Sequence, residues 1–165
     1  MTTGQHIPIS ALQPGSECII RSLGSDEKTA SRLAQMGILP GTHLHIIRVA
    51  PLGGTIEAAA DQGQNVALRR EEVTAMECEP VAMPLASGLV AFGRPYKVRA
   101  LLGGRTFRRR IQEKGIEEGA RILMQNAKAR PVQIRLVDRK TKINLGRGEA
   151  EKIIVEVIDD EQSES

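Results

Sequence analysis

Short apolar runs separated by turn residues dominate the chain, and helical spacing is confined to two stretches. Glu17 to Leu23 reads as an apolar strand. Ser25 or Asp26 then stands where a side-chain oxygen can accept hydrogen bonds from the free amides of a first helical turn. Ala30, Leu33 and Met36 recur every three residues, which places them on one face of a helix over about 27–36. Gly37 ends that helix, because glycine takes up positive φ after a last turn without a Cβ clash. Pro40-Gly41 forms a turn, and Thr42 to Val49 alternates around Leu44, Ile46 and Val49 as a half-buried strand does. Pro51-Leu52-Gly53-Gly54 breaks the chain. Thr55 to Ala60, Asn65 to Leu68 and Ala75 to Cys78 are further short strands, with a turn at Glu71-Glu72-Val73.

The second half repeats this order. Met36-Gly37-Ile38-Leu39-Pro40-Gly41 lies over Lys114-Gly115-Ile116-Glu117-Glu118-Gly119 at an offset of 78, and Arg32-Leu33 lies over Arg110-Ile111. Val66-Ala67-Leu68 lies over Ile143-Asn144-Leu145, and Val73, Met76 and Cys78 over Ala150, Ile153 and Val155, at an offset of 77. A slip of one residue over a repeat is a loop indel. Phe107 and Ile111 are the i, i+4 pair of the second helix, with Gly115 as its stop. Strands are expected at Arg121 to Asn126, Val132 to Val137, Lys142 to Leu145 and Ile153 to Ile158, with a turn at Gly148-Glu149-Ala150. A set of short strands and one short α-helix in each copy predict a mostly β protein of two tandem small antiparallel barrels, a closed form that leaves no open sheet edge. The copies are residues 1–80 and 81–165. Glu79 to Pro84, with two prolines, is expected to be a short semi-rigid linker, and the acidic tail from about 159 to be disordered.

Composition narrows the function classes. At 165 residues, 26% charged and 41% hydrophobic, the chain is globular. No apolar run approaches the roughly 20 residues of a membrane span, and Met1 to Ile9 lack an apolar signal core, so a cytoplasmic protein without membrane insertion is expected. Aromatic residues make up 2%, which removes the stacking platforms of single-strand nucleic-acid binders. Cys18 and Cys78 have no metal or redox spacing and read as two buried structural thiols, a redox role being the lesser option. Residues 1–80 hold six Lys and Arg against nine Asp and Glu, a net of −3, whereas the rest carries +6. Two units with different surfaces, and possible different partners, follow from that sign change.

The first copy, with Arg-Leu-x-x-Met-Gly-Ile-x-Pro-Gly over Arg32 to Gly41, Pro-x-Gly-Gly over Pro51 to Gly54, and Val-Ala-Leu-Arg-x-Glu-Glu-Val-x-x-Met over Val66 to Met76, resembles the FeoA family. These are small cytosolic SH3-like accessory proteins of bacterial ferrous iron uptake. The second copy resembles a diverged member, with Lys114 for the methionine, Glu118 for the proline and no Pro-x-Gly-Gly loop. By fold the family is similar to the SH3-like C-terminal domain of iron-dependent repressors. The resemblance implies tandem SH3-like barrels and a non-enzymatic protein that binds and modulates the membrane ferrous iron transporter through its cytosolic domain, with no cofactor.

The residues themselves supply no catalytic set. Gly53-Gly54 and Gly103-Gly104 lack the Gly-Lys-Ser/Thr of a phosphate loop and read as hairpin turns. Three histidines leave few general bases. His43 and His45, at i, i+2 on a strand, project to one face and could share a metal. The plainer reading is two exposed strand histidines around an inward Leu44, since no carboxylate or Cys lies near them in sequence and the second copy has Arg121 and Leu123 there; no metal ligand is assigned. Arg105, Arg108 and Arg109 belong to the densest charge cluster and are expected on the outer faces of the second helix. They are the candidate partner-binding residues. A solvated helix face is the plainer reading, and a nucleic-acid-associated or transcriptional regulator using the basic second domain is the alternative function. Self-association is left open.

Overall fold

The computed structural model describes residues 5–52, 54–61, 63–126 and 132–158. The chain divides between Val81 and Ala82 into two compact units.

In the first unit the chain runs β1 (Ile7–Pro8), a 3-10 turn (Ile9–Ala11), β2 (Glu17–Ser22), α1 (Glu27–Gln35), β3 (His43–Val49), β4 (Thr55–Ala60), β5 (Asn65–Arg69), α2 (Arg70–Ala75) and β6 (Glu77–Pro84). The strand order is β6-β2-β3-β4-β5, with β1 paired antiparallel to β6. Registers follow the hydrophobic pattern. Cys18 faces Leu44 across β2 and β3, and Leu44 and Ile46 face Ala60 and Ala58 across β3 and β4, so one side of each strand is buried. A bulge between Ile46 and Arg48 interrupts the alternation and leaves Ile47 exposed. Helix α1 buries Leu33, with Ala30 and Met36 half-buried beside it.

The second unit continues with the end of β6, then β7 (Pro95–Leu101), α3 (Arg105–Glu113), β8 (Arg121–Asn126), β9 (Val132–Leu136), β10 (Lys142–Leu145), α4 (Arg147–Glu151) and β11 (Ile153–Val157). Its order is β10-β9-β8-β7-β11-β6, in which Ala82 to Pro84 pair antiparallel with Glu156 to Ile154. Tyr96, Val98, Phe107, Ile111, Ile122, Ile134 and Val155 belong to one buried cluster.

Gly37 and Gly115 take φ of 86° and 97° at the ends of α1 and α3, and Gly41 and Gly119 take 96° and 93° in the following turns. These are the backbone stops expected from the repeat.

Several expectations need correction. The segment 79–84 is not a linker but strand, because Ala82, Met83 and Pro84 are buried and hydrogen-bonded into the second unit. Strand β7 is not among the strands expected above. Of the two cap candidates Asp26 is the N-cap of α1, and its carboxylate accepts from the Thr29 hydroxyl (2.6 Å). The turns at Glu71 and Gly148 close into the short helices α2 and α4, so each unit carries a second helix of six or five residues. Gly103-Gly104 is no hairpin turn: Gly104 is the N-cap of α3, and a Cβ on Gly103 would overlap Cδ1, Cγ and Cβ of Phe107. Gly53 and the tail from 159 lie outside the described residues.

Candidate functional site

Helix α3 forms because Phe107 and Ile111, one turn apart, both have a core to enter; Gly104 starts it and Lys114 caps it. The same spacing leaves Arg105, Arg108 and Arg109 exposed, as the sequence places them. Arg108 is partly tied down, since its Nη2 donates to the Leu101 carbonyl at 3.3 Å. Arg105 and Arg109 make no ion pair among the described residues. Beside them, the Lys152 ammonium stands 5.3 Å from the centroid of the Phe107 ring, adding a further cation to this end of the unit. The cluster is a set of extended cations, suited to attracting an anionic surface.

A second constellation, absent from the sequence reading, recurs in both units. Glu72, 3% exposed, stands at the third position of α2; its Oε1 accepts the Arg69 amide (3.1 Å) and the guanidinium of Arg32 on α1. This carboxylate therefore ends β5, starts α2 and holds α1 in one contact set. Glu149 is its counterpart at an offset of 77. Its Oε1 accepts the Gly146 amide (3.0 Å) and the Lys114 ammonium (3.3 Å), with the Arg110 guanidinium 4.0 Å from Oε2. Lys114 stands where the first unit has the half-buried Met36, so the divergence that weakens the family pattern exchanges an apolar contact for an ion pair. The signal was legible in principle: Arg32 and Arg110 match in the repeat, and Glu72 and Glu149 sit at the third position of a helix start, where a capping carboxylate is expected.

The Gly146 amide, and after it Lys114 and Arg110, hold the Glu149 carboxyl below the usual carboxylate range. A group whose folded-state value is lowered adds stability above its unfolded value and loses it as pH falls through the folded one. The parent should therefore lose stability steeply in acid below the ordinary carboxylate range, and Glu149→Gln should flatten that slope while costing most at neutral pH. Urea midpoints across the acid range check this; parallel profiles would remove Glu149 from the account.

Cys18 on β2 and Cys78 on β6 are buried thiols in hydrogen-bond contact. That hydrogen bond, and after it burial, pushes the Cys18 thiol well above its usual range, which keeps it a thiol and a poor nucleophile. His43 and His45 are exposed on the outer side of β3 with Leu44 buried between them. The fold brings them carboxylates that lie far off in sequence. Glu17 on β2 is the register partner of His45, and its Oε1 lies 3.4 Å from His45 Nδ1. Asp61 follows β4, and both its carboxylate oxygens accept from the His43 amide, at 3.2 and 3.1 Å. A shallow cavity of about 200 Å³ lies against these side chains. Among the described residues no group of three His, Cys, Asp or Glu is assembled to hold a metal, and no helix is long and apolar enough to cross a membrane.

In each unit antiparallel strands, with one nine-residue helix set between them, form a mostly β, SH3-like fold. The FeoA domain family matches the chain twice, over residues 7–80 and 83–157, and the protein belongs to that family. Iron(II) transport protein A from Clostridium thermocellum is 32% identical, with 96% of this chain and 93% of that one covered at a TM-score of 0.53. FeoA protein from Chlorobium tepidum is 27% identical over 45% of this chain and 70% of that one, at a TM-score of 0.42. The FeoA-like protein from Clostridium acetobutylicum is 26% identical over 48% and 90%, at 0.43. No curated protein matches. The family is one of non-enzymatic accessory domains, and membership supports an accessory role in ferrous iron transport.

Proposed function

We propose that this protein is a non-enzymatic cytoplasmic accessory protein of bacterial ferrous iron uptake, which binds the cytosolic domain of the membrane ferrous iron transporter and modulates it through protein–protein contacts. The observation that carries the reading is the double FeoA match, joined to a relative that is named an iron(II) transport protein and is covered over 93% of its own length. In this reading residues 1–80 and 81–165 fold independently, each around its own core, which circular dichroism of the separate fragments checks. The exposed guanidiniums of Arg105, Arg108 and Arg109 are the contact through which the second domain meets an acidic surface of the transporter.

Changing all three to alanine should leave folding intact, since exposed positions usually alter stability by within about 0.5 kcal/mol. It should weaken binding to the transporter's cytosolic domain at least tenfold. The same basic helix gives the nucleic-acid reading its one specific support. If the partner is the transporter, the parent binds duplex DNA only weakly, and physiological salt erases that binding. A parent that binds a defined DNA sequence at nanomolar concentration in physiological salt and ignores the transporter domain would overturn the proposal.

A further inference from the structure

The first unit carries a feature with no equivalent in the second. At an offset of 78, His43, His45 and Glu17 correspond to Arg121, Leu123 and Pro95, and the strand registers agree: Glu17 faces His45 and Ile19 faces His43, as Pro95 faces Leu123 and Lys97 faces Arg121. The frame is shared, so the two imidazoles are an addition to one unit and no requirement of the fold. Both are exposed, and neither supports the core.

We propose that His43 and His45 form a two-point chelate for a late first-row divalent cation such as Zn2+ or Ni2+, oriented by Glu17. Residues i and i+2 of a strand present their side chains to the same face, which brings the two rings within reach of one ion. Imidazole nitrogen suits these cations, and Fe2+, lower in the affinity order, binds the same pair more weakly. Glu17 supplies what an isolated pair lacks. A carboxylate beside Nδ1 holds the proton on that nitrogen and leaves the Nε2 lone pair for the metal, the arrangement in which a carboxylate that does not itself ligate the metal fixes the ring and raises its basicity. Asp61, held on the His43 amide, places a second negative charge at the same end of β3, and among the described residues no Lys or Arg lines the cavity. Water completes the coordination, so binding displaces part of the ion's hydration shell and involves no oxidant or reductant. The inference stands independently of the transporter reading.

Calorimetric titration of the untagged whole chain with Zn2+ or Ni2+ at neutral pH tests it. The parent should show one site, which the His43→Ala/His45→Ala pair abolishes, which Glu17→Gln weakens about tenfold or more, and which His6→Ala leaves unchanged. If the alanine pair unfolds by circular dichroism, His43→Gln/His45→Gln replaces it. With the parent alone, paramagnetic Ni2+ should broaden the nuclear magnetic resonance signals of residues 17, 43–45 and 59 and spare 95 and 121–123. A one-site isotherm that survives loss of both histidines, broadening centred elsewhere, or no isotherm in the parent would each overturn the proposal.

Discussion

Gly103→Ala should destabilise the second unit by about 3 kcal/mol, the cost of expelling a large ring from a packed core. The new Cβ would overlap the Cγ, Cδ1 and Cβ atoms of Phe107 at once, so rotation of the ring alone gives no relief. Phe107 is buried, and α3 depends on it and Ile111 for attachment. Either the ring leaves the core or the start of the helix shifts. The two positions should therefore couple. Gly103→Ala added to Phe107→Ala should cost little beyond Phe107→Ala alone, a non-additivity expected of residues in contact. Native-state hydrogen exchange reads the loss unit by unit, through protection of α3 amides against those of α1. Equal and additive losses would show that the ring and the glycine do not compete for space.

Arg32→Met should cost the first unit about 2 kcal/mol, and the matching change Arg110→Met in the second unit clearly less. In the first unit the guanidinium is the charged partner of a carboxylate that is 4% exposed, and removing it leaves that charge with one amide. Breaking a fully buried pair costs about 3–5 kcal/mol; the arginine here is 38% exposed, which lowers the figure. In the second unit Lys114 already serves Glu149, and Arg110 is more distant and 58% exposed. Urea midpoints at unchanged slope, with exchange protection of α1, decide between the units. Losses of equal size would mean that Lys114 does not compensate.

The legible part of this fold was whatever repeats or alternates. The glycine stops declared themselves because Gly37 directly follows the apolar stripe ending at Met36 and Gly115 repeats it at the offset of 78, and the inward pair Leu44 and Ile46 because alternation fixes which side of a strand is buried. What stayed hidden depended on pairing between distant segments. Glu79 to Pro84 looks like a linker, since proline argues against strand locally; it becomes strand through pairing of β6 with β2 and β11. Gly103 looks like a turn residue, since nothing in the string says that a phenylalanine four residues on will lie over it. The arginines of α3 were placed correctly as exposed, whereas Glu72 and Glu149 passed as members of a polar turn. The carboxylates around His43 and His45 arrive from β2 and the end of β4, 26 and more residues away along the chain from Glu17 and 16 and more from Asp61.

The overlap between Gly103 and Phe107 also sets where these two domains could exchange parts. At the offset of 78, Ser25 stands for Gly103 and Thr29 for Phe107. A recombinant that imports only residues 105–113 in place of 27–35 brings the large ring into a site whose preceding residue still carries a Cβ. A crossover placed before residue 103 brings the ring together with the gap that receives it, and one that runs through Lys114 also delivers the ammonium that would meet Glu72. The natural cassette is thus wider than the helix it contains, and its borders are drawn by a missing methyl group and a single ion pair.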